Sequence, residues 1–271
     1  MDAPSVKQCC AAFYGSDLAR LLLGNSFHPG GVRLTQRIGE FLDLTPASRV
    51  LDVAAGRGTS AFCLASRFGC HVTGVDLSQE NISAARAEAE ALNLSSRVAF
   101  DSADAERLPF PDASFDAIVC ECAFCTFPGK DVAAAEFARI LKPGGGVGIS
   151  DLTRSEAHLP ELDGLLAWIA CIGDALPLQS YVSALQMAGL SVAETEIRDD
   201  ALAEMVRGVQ SRLLGIEIAT GLGKLRIPGI DLTEAKRFAK AAAEAIHHGQ
   251  LGYAILIARK PVAVRRPSSE T

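Results

Sequence analysis

The glycine-containing turn that follows the apolar run at residues 50–55 constrains the fold more than any other feature. The run VLDVAA leads directly into Gly-Arg-Gly at 56–58, where glycine allows the backbone to approach another group closely. A buried strand that enters such a turn is typical of nucleotide-binding α/β folds. The turn differs from the G-x-G-x-x-G fingerprint, because Ala54 stands at the first glycine position. It therefore indicates a parallel α/β sheet without fixing the ligand.

The chain up to residue 152 alternates between short apolar segments and helical patterns. We expect strands over 71–77, 97–104, 115–122 and 146–152, and helices over 59–68, 78–92 and 131–141. Ser78 is placed to cap the N-terminus of its helix. Strands separated by helices of this length form βαβ units, and strands that are apolar throughout belong to sheets covered on both faces.

The patterns on either side of this region are looser. Residues 1–46 have the pattern of amphipathic helices, broken at His-Pro-Gly-Gly 28–31. Further along, we expect helices over 161–176 and 179–190, a strand over 191–199, mostly helical structure over 200–248 with an interruption at 221–230, and a last strand over 251–260. We expect the last strand to pair antiparallel at one edge of the sheet. The helices before it would then be an insertion rather than a separate domain.

Composition excludes several classes of function. The net charge of −6 lacks the basic excess that an extended nucleic-acid-binding face needs. No apolar run reaches the length of about 18 residues that spans a bilayer, and the N-terminus lacks the apolar region of a secretory signal. We therefore expect a cytoplasmic protein without nucleic-acid or membrane partners, in which the eight cysteines are mostly reduced.

Two acidic residues end neighbouring predicted strands. Asp76 follows the glycine turn by about 20 residues and is placed to bind ribose hydroxyls, although a helix-capping role is the alternative. Asp104 ends the third predicted strand, where its carboxylate can accept a hydrogen bond from an exocyclic amine. Ligands of open parallel sheets bind at the carboxyl ends of the strands, so we expect both side chains to face one site.

Four segments together resemble the class I S-adenosylmethionine-dependent methyltransferases, in order and in spacing. They are VLDVAAGRG (50–58), VTGVDLS (72–78), DAERLPFPDASFDAIVC (104–120) and RILKPGGGVGISD (139–151). The resemblance implies a Rossmann-like α/β three-layer sandwich, with a mainly parallel seven-stranded sheet, an antiparallel last strand and helical insertions. It also implies S-adenosyl-L-methionine as the cofactor, Gly56 and Gly58 under its methionine moiety, Asp76 on the ribose and Asp104 near the adenine.

From this resemblance we expect a set of cofactor-binding residues and a division of the chain. The set is Asp52, Ala54, Gly56, Gly58, Asp76, Leu77, Asp104, Ala105, Cys120 and Tyr14. The division is a helical lid over 1–46, a cofactor-binding core over 47–153, acceptor-side helices and closing strands of the same domain over 154–261, and a tail over 262–271.

A short-chain dehydrogenase is the rival on a related fold. Those enzymes share a Tyr-x-x-x-Lys pair, and none of the three tyrosines here is followed by lysine at that spacing. We set the dehydrogenase hypothesis aside.

The cysteines suggest the methyl acceptor. Cys120, Cys122 and Cys125 cluster at the end of the fourth predicted strand, and residues 168–190 resemble a segment of arsenite methyltransferases that places Cys171 at an arsenic-binding cysteine. The resemblance implies that Cys10, Cys122, Cys125 and Cys171 hold a soft acceptor such as trivalent arsenic, without a resident metal. The sequence departs from that family, because Ser16 stands where a cysteine is usual, Asp174 replaces a glycine, and no cysteine follows Cys171.

Two further hypotheses remain open. LPFPDASFD (108–116) resembles quinone- or sterol-modifying enzymes, which implies an ordinary C-, O- or N-methyltransferase with His28, Glu121 or His158 as candidate bases. The second hypothesis is a non-catalytic metalloid-binding module. Loss of S-adenosylmethionine binding would favour that module over either enzyme.

Overall fold

The computed structural model describes residues 28–157, 159–164, 171–221 and 231–262, together with Leu21 and Ala167. The strands are β1 (Arg49–Val53), β2 (His71–Asp76), β3 (Val98–Ser102), β4 (Phe115–Glu121), β5 (Leu141–Arg154), β6 (Ser191–Ile197) and β7 (Leu251–Arg259). The helices are α1 (Val32–Phe41), α2 (Thr59–Phe68), α3 (Gln79–Ala91), α4 (Lys130–Ile140), α5 (Leu178–Met187), α6 (Asp199–Gly221) and α7 (Leu232–His247). Short 3-10 turns occupy Phe124–Thr126 and Pro160–Leu162.

The seven strands form one sheet in the order β3-β2-β1-β4-β5-β7-β6. The first five strands are parallel, and β7 is antiparallel to both β5 and β6. The Rossmann-like fold and its antiparallel last strand are therefore as expected. The expected place of that strand is wrong, since β7 lies between β5 and β6, and β6 forms the edge.

Local chemistry explains why the helices begin where they do. The expected helix over 59–68 is confirmed as α2. It starts after Gly58, whose backbone has a left-handed conformation. Ser78 caps α3 as expected, because its side chain accepts a hydrogen bond from the backbone N–H of Asn81. Both helices therefore begin at the carboxyl ends of parallel strands, the edge where ligands bind in such sheets.

The expected continuous helix over 161–176 is wrong. Residues 163–164 and 171–177 lie outside any helix, and Gly164 and Cys171 have φ values of 82° and 61°. A residue in the left-handed region interrupts the α-helical hydrogen-bond pattern. Cys171 therefore lies in an irregular segment instead of a helix.

Helix α1 packs on the sheet through a close approach at Gly148. A Cβ atom at Gly148 would lie 2.4 Å from Cγ2 of Ile38, which is fully buried. Only glycine, which has no Cβ atom, allows α1 to pack this closely against β5. No helix in the described part of the chain is long and apolar enough to cross a membrane.

Candidate active site

A cleft opens at the carboxyl ends of β1, β2 and β4 and collects most of the sequence-predicted site residues. Those that line it are Asp52, Ala54, Gly56, Asp76, Leu77, Asp104, Ala105, Cys122 and Cys171. Gly58, Cys120 and Cys125 do not line it. Cys10, Tyr14 and His158 lie outside the described residues.

The turn after β1 is held by the acid at the end of β2. The backbone N–H of Gly56 donates to Oδ2 of Asp76 over 2.9 Å, and the N–H of Ser78 donates to Oδ1 over 2.8 Å. Gly56 has a φ of 54°, and a Cβ atom there would meet nothing within 4 Å, so its Cα faces open space. Burial raises the pKa of Asp76 despite these hydrogen bonds.

Gly58 serves packing in this structure. A Cβ atom at this position would lie 2.6 Å from Cζ of Phe100 and 2.9 Å from Cζ of Phe62. Gly58 does not line the cleft, and its expected place under the cofactor stays a prediction. The rings of Phe62 and Phe100 occupy the space beside it in an edge-to-face pair.

Two buried acceptors in the cleft have no hydrogen-bond partner among the described residues. They are Oδ2 of Asp52 and Oδ1 of Asn81. Burial, and secondarily the charges of Glu121 and Asp76, raise the pKa of Asp52 well above its usual range. Because buried polar atoms are nearly always hydrogen-bonded, these oxygens indicate a ligand that brings donors.

Asp104 sits at the outer side of the cleft, after the end of β3. Its Oδ1 accepts a hydrogen bond from the backbone N–H of Glu106 over 3.0 Å, which fixes the carboxylate in a tight turn. Beside it, Ala105 is buried and Leu77 is exposed. These two apolar side chains and Asp104 border one part of the cleft.

Glu121, the last residue of β4, is the centre of a buried hydroxyl network. Its Oε2 accepts hydrogen bonds from Oγ1 of Thr35 (2.8 Å) and Oγ of Ser60 (2.6 Å). Its Oε1 accepts from Oγ of Ser150 (3.2 Å), which in turn accepts from the hydroxyl of Tyr253 (3.0 Å). Donors from α1, α2 and β5 therefore fix one carboxylate in the wall of the cleft.

His28 lies against this carboxylate. Its Nδ1 is 3.7 Å from Oε1 of Glu121, and the imidazole is buried while still lining the cleft. A histidine paired with an oriented carboxylate can accept a proton and stabilise the resulting positive charge. The sequence offered both residues as candidate bases, and the fold brings them together.

The cysteines divide into buried supports and cleft-lining residues. Cys120 is fully buried in β4 and Cys125 in the 3-10 turn, whereas Cys122, with a φ of 52°, has left the strand. Strand alternation would put Cys120 and Cys122 on one face only if the strand continued, and it ends at Glu121. Cys120 is fully buried and does not line the cleft, and its expected contact with the cofactor stays a prediction.

Cys171 brings three thiols into contact. Its Sγ lies 3.6 Å from the carbonyl oxygen of Cys122, and the thiols of Cys122 and Cys125 each hydrogen-bond to it. The pKa values of the Cys122 and Cys125 thiols are raised, the first chiefly by its hydrogen bond with Cys171 and the second chiefly by burial. Both are therefore protonated at neutral pH.

Asp151 lies behind the thiols. Its Oδ2 accepts a hydrogen bond from the backbone N–H of Cys125 over 2.8 Å, and burial raises its pKa to about 7.

Within the described ranges, no group of three or more His, Cys, Asp or Glu side chains is arranged to hold a metal ion.

Sequence reasoning missed the residues that build the site from behind. Thr35, Ser60, Asn81, Ser150 and Tyr253 carry no motif that marks them. Ser60 offered the best signal, since it stands at the start of the helix after the glycine turn, where a hydroxyl reaches the sheet edge.

Comparison with known proteins agrees with this geometry. Residues 50–145 match the family model described as "Methyltransferase domain". The chain is 29% identical over 236 residues to methyltransferase GfsG of Streptomyces halstedii, covering 85% of this chain and 81% of that protein. It is 29% identical to the 27-O-demethylrifamycin SV methyltransferase of Amycolatopsis mediterranei, covering 91% and 94%. It is 37% identical to the O-methyltransferase rstn1 of Aspergillus nomiae, covering 62% and 75%.

Solved structures share the fold. The [4+2]-cyclase SpnF superposes with a TM-score of 0.74 at 25% identity, covering 95% of this chain and 96% of that one. Phosphoethanolamine N-methyltransferase 2 of Haemonchus contortus, solved with S-adenosyl-L-methionine, gives a TM-score of 0.75 at 22% identity, covering 93% and 57%. Since a cyclase and a methyltransferase share this fold, the fold alone does not determine the reaction.

The relatives, the matched domain and the cleft geometry lead to one class. The chain belongs to the class I S-adenosylmethionine-dependent methyltransferases, whose acceptors among these relatives are small molecules. It is thus an enzyme that uses S-adenosyl-L-methionine. The cleft fits that cofactor, because the unpartnered oxygens of Asp52 and Asn81 match its ammonium, hydroxyl and amine donors.

Proposed function

We propose that this methyltransferase modifies a hydroxyl oxygen of a small, uncharged and largely apolar molecule. The observation that carries the proposal is the contact between His28 and Glu121 in the wall of the cleft. A hydroxyl must lose its proton as it is methylated, and a histidine backed by a carboxylate can take that proton. The relatives that are O-methyltransferases support the same choice.

We assign distinct tasks to the residues of the cleft. Asp76 would accept ribose hydroxyls, Asp104 the adenine amine, and Asp52 and Asn81 further donors of the cofactor, because carboxylates and amides have acceptor capacity to spare. Gly56 would let the backbone approach the methionine moiety. Gly58 and Cys120 would support this surface from behind. When bound, S-adenosyl-L-methionine supplies an electrophilic methyl group on a sulfonium sulfur.

His28 and Glu121 carry out the proton transfer in this proposal. As the acceptor's hydroxyl oxygen takes the methyl group that the cofactor would supply, the hydroxyl proton would pass to the imidazole of His28. Nδ1 of His28 faces Glu121, which leaves Nε2, an atom buried in the cleft wall, to receive the proton. The carboxylate, held by Ser60 and Thr35, then stabilises the imidazolium.

The remaining wall favours an uncharged acceptor. Ala123, Thr126 and Phe127 line it beside the two thiol residues. Among the described residues that line the cleft, Arg57 is the one lysine or arginine. A phosphorylated acceptor would require more positive charge than this wall provides.

A second candidate is a soft acceptor, such as trivalent arsenic, held by Cys122, Cys125 and Cys171. The mutual contacts of these thiols favour it. Protonated thiols can bind As(OH)₃ with release of one water molecule per thiol, so the raised pKa values of Cys122 and Cys125 do not oppose capture. The arsenic lone pair would then accept the methyl group without any base.

One experiment separates the candidates. The purified protein is incubated under reducing conditions with methyl-tritiated S-adenosylmethionine and either a panel of phenols and aliphatic alcohols, a panel of amines, or arsenite. We expect label in the hydroxyl panel, lost in His28→Asn and retained in Cys171→Ser. Transfer of label to arsenite alone would overturn the hydroxyl proposal. If that transfer is lost in Cys171→Ser and in Cys122→Ser, the result supports the soft-acceptor candidate.

The same assay also tests amine methylation and metalloid binding without catalysis. Label confined to amines would overturn the hydroxyl proposal, and arsenite binding without cofactor binding would indicate a metalloid-binding module.

We also propose a reducing, cytoplasmic location, supported by the cysteines of the described part, which are all free thiols.

A further inference from the structure

Two stretches that are distant in sequence form the acceptor side of the cleft. Cys122 and Phe127 come from the loop after β4, and Cys171 comes from the irregular segment before α5. The second stretch lacks regular secondary structure, so its position depends on side-chain anchors. The conformation of this second stretch therefore determines the shape of the acceptor side of the cleft.

Lys130, the first residue of α4, contacts both stretches through one atom. Its Nζ donates to the carbonyl oxygen of Phe127 over 3.1 Å and to Oδ2 of Asp174 over 2.7 Å. The lysine side chain is 10% exposed, whereas Asp174 is 37% exposed. Lys130 does not line the cleft, so it has no direct contact with an acceptor there.

Because the ammonium group of Lys130 is buried, its contact with Asp174 contributes more to the structure than an exposed ion pair would. A lysine is rarely buried without a charged partner, because leaving water is costly for its ammonium group. Asp174 is the charged partner, and it lies three residues after Cys171. Keeping Lys130 paired therefore keeps the segment of Cys171 against the loop of Phe127.

Other anchors of the segment lie further along the chain. The hydroxyl of Tyr181 accepts from the backbone N–H of Leu176 over 2.8 Å and donates to the carbonyl oxygen of Leu152 over 3.1 Å. The N–H of Arg154 donates to the carbonyl oxygen of Leu176 over 3.0 Å. These bonds fix the end of the segment at Leu176. Next to Cys171, the 2.7 Å Lys130–Asp174 pair is the shortest anchor, beside the longer contacts of Nη1 of Arg154 with the carbonyl oxygen of Ile172 (3.5 Å) and of Sγ of Cys171 with that of Cys122 (3.6 Å).

We propose that Lys130 is a positioning residue that, through Asp174, holds the segment of Cys171 closed over the acceptor side of the cleft. The proposal rests on the proposed function only in taking this side of the cleft as the acceptor site. It gives a role to Asp174, one of the positions at which the sequence departs from the arsenite methyltransferase pattern.

The test follows alkylation of Cys171, which is 2% exposed, by iodoacetamide and needs no acceptor. Alkylation of each cysteine is measured by mass spectrometry over time in the wild type, Lys130→Met and Asp174→Ala. We expect alkylation of Cys171 to accelerate about tenfold in both variants, the effect of losing one charge-assisted hydrogen bond. The double variant should be no faster than either single variant, because both break the same contact.

Matched controls separate positioning from general stability. Lys142→Met removes another lysine–aspartate pair, with Asp116 at 2.7 Å, and should leave Cys171 protected. Cys70, which is fully buried elsewhere, should stay protected in every variant. Asp174→Ala removes the more exposed partner and keeps the test informative if Lys130→Met does not fold.

Either of two results would overturn the proposal. One is unchanged alkylation of Cys171 in Asp174→Ala. The other is parallel acceleration at Cys70, which would show a general loss of stability. The alkylation measurement needs neither cofactor nor methyl transfer, so failure of the hydroxyl proposal would leave its result unchanged.

Discussion

Oγ of Ser60 lies 2.6 Å from Oε2 of Glu121, and this contact ties the cofactor side of the cleft to its catalytic side. Ser60 stands in the first turn of α2, directly after the glycine turn, and Glu121 ends β4. The same carboxylate faces His28 at 3.7 Å. The helix that begins at the cofactor turn therefore also orients the group behind the proposed proton acceptor.

Replacing Asp76 by alanine should weaken cofactor binding. The variant loses the acceptor of the Gly56 N–H as well as the carboxylate proposed to bind the ribose. We expect the Kd for S-adenosylmethionine to rise about 10- to 100-fold, as for loss of a hydrogen bond to a charged group. Isothermal titration calorimetry measures it, with Asp101→Asn on the exposed end of β3 as the control. Equal affinities for Asp76→Ala and the wild type would refute the assignment.

Replacing Glu121 by glutamine should slow turnover without affecting cofactor affinity. The amide keeps the shape of the side chain but removes the charge that stabilises protonated His28. We expect kcat to fall about 10- to 100-fold, within the range of general acid–base effects. Methyl transfer to the hydroxyl acceptor found in the panel gives kcat, and the exposed Glu80→Gln serves as the control. A Glu121→Gln enzyme with wild-type kcat would remove the carboxylate from the mechanism.

Burial of Asp151 should make stability fall as pH rises from about 4 to 7. Its pKa is raised from 3.8 to about 7 in the folded state, so in this window the folded state holds a proton that the unfolded state has released. Below pH 4 Asp151 is protonated in both the folded and the unfolded state. Above pH 7 the free energy of unfolding has fallen by its full amount.

Asp151→Asn removes this titration and supplies the comparison. Urea denaturation of both proteins at pH 5 and pH 8 should show the wild type losing a few kcal/mol relative to the variant, since one pKa unit corresponds to about 1.4 kcal/mol. The amide adds an offset at both pH values, because it lacks one acceptor for the N–H groups of Cys125 and Leu152. A stability difference that is the same at both pH values would contradict the raised pKa.

Adding a methyl group at Gly148 should destabilise the protein. The new Cβ would lie 2.4 Å from Cγ2 of Ile38 and push α1, which carries Thr35, away from β5. We expect Gly148→Ala to cost about 1–3 kcal/mol, as overpacked cores do. Gly215→Ala, in open space on α6, should not destabilise. Equal urea midpoints for the wild type and Gly148→Ala would show that α1 moves freely.

The fold was predictable where local signals and burial agree. The run from β1 to α4 follows from apolar strands, the turn at 56–58 and the cap at Ser78. The helix expected over 161–176 failed because Gly164 and Cys171 take left-handed conformations, which the helical pattern of the sequence does not reveal. The position of β7 inside the sheet also depends on long-range pairing, which local patterns do not encode.

The candidate site was predictable only in part. Asp52, Gly56, Asp76 and Asp104 meet in one cleft because each follows its strand or turn in a regular pattern. The setting of Glu121 depends on hydroxyls that are 86, 61 and 29 residues away in sequence. Those distances carry no periodicity, so the structure is needed to see the network.

Replacement of His28 by asparagine tests whether this imidazole takes the hydroxyl proton. Transfer of tritiated methyl groups to the hydroxyl acceptor is measured for His28→Asn and the wild type, with S-adenosylmethionine affinity measured on the same preparations. We predict a fall in kcat of about 100-fold or more with unchanged cofactor affinity. Wild-type turnover in His28→Asn would contradict the proposed proton transfer.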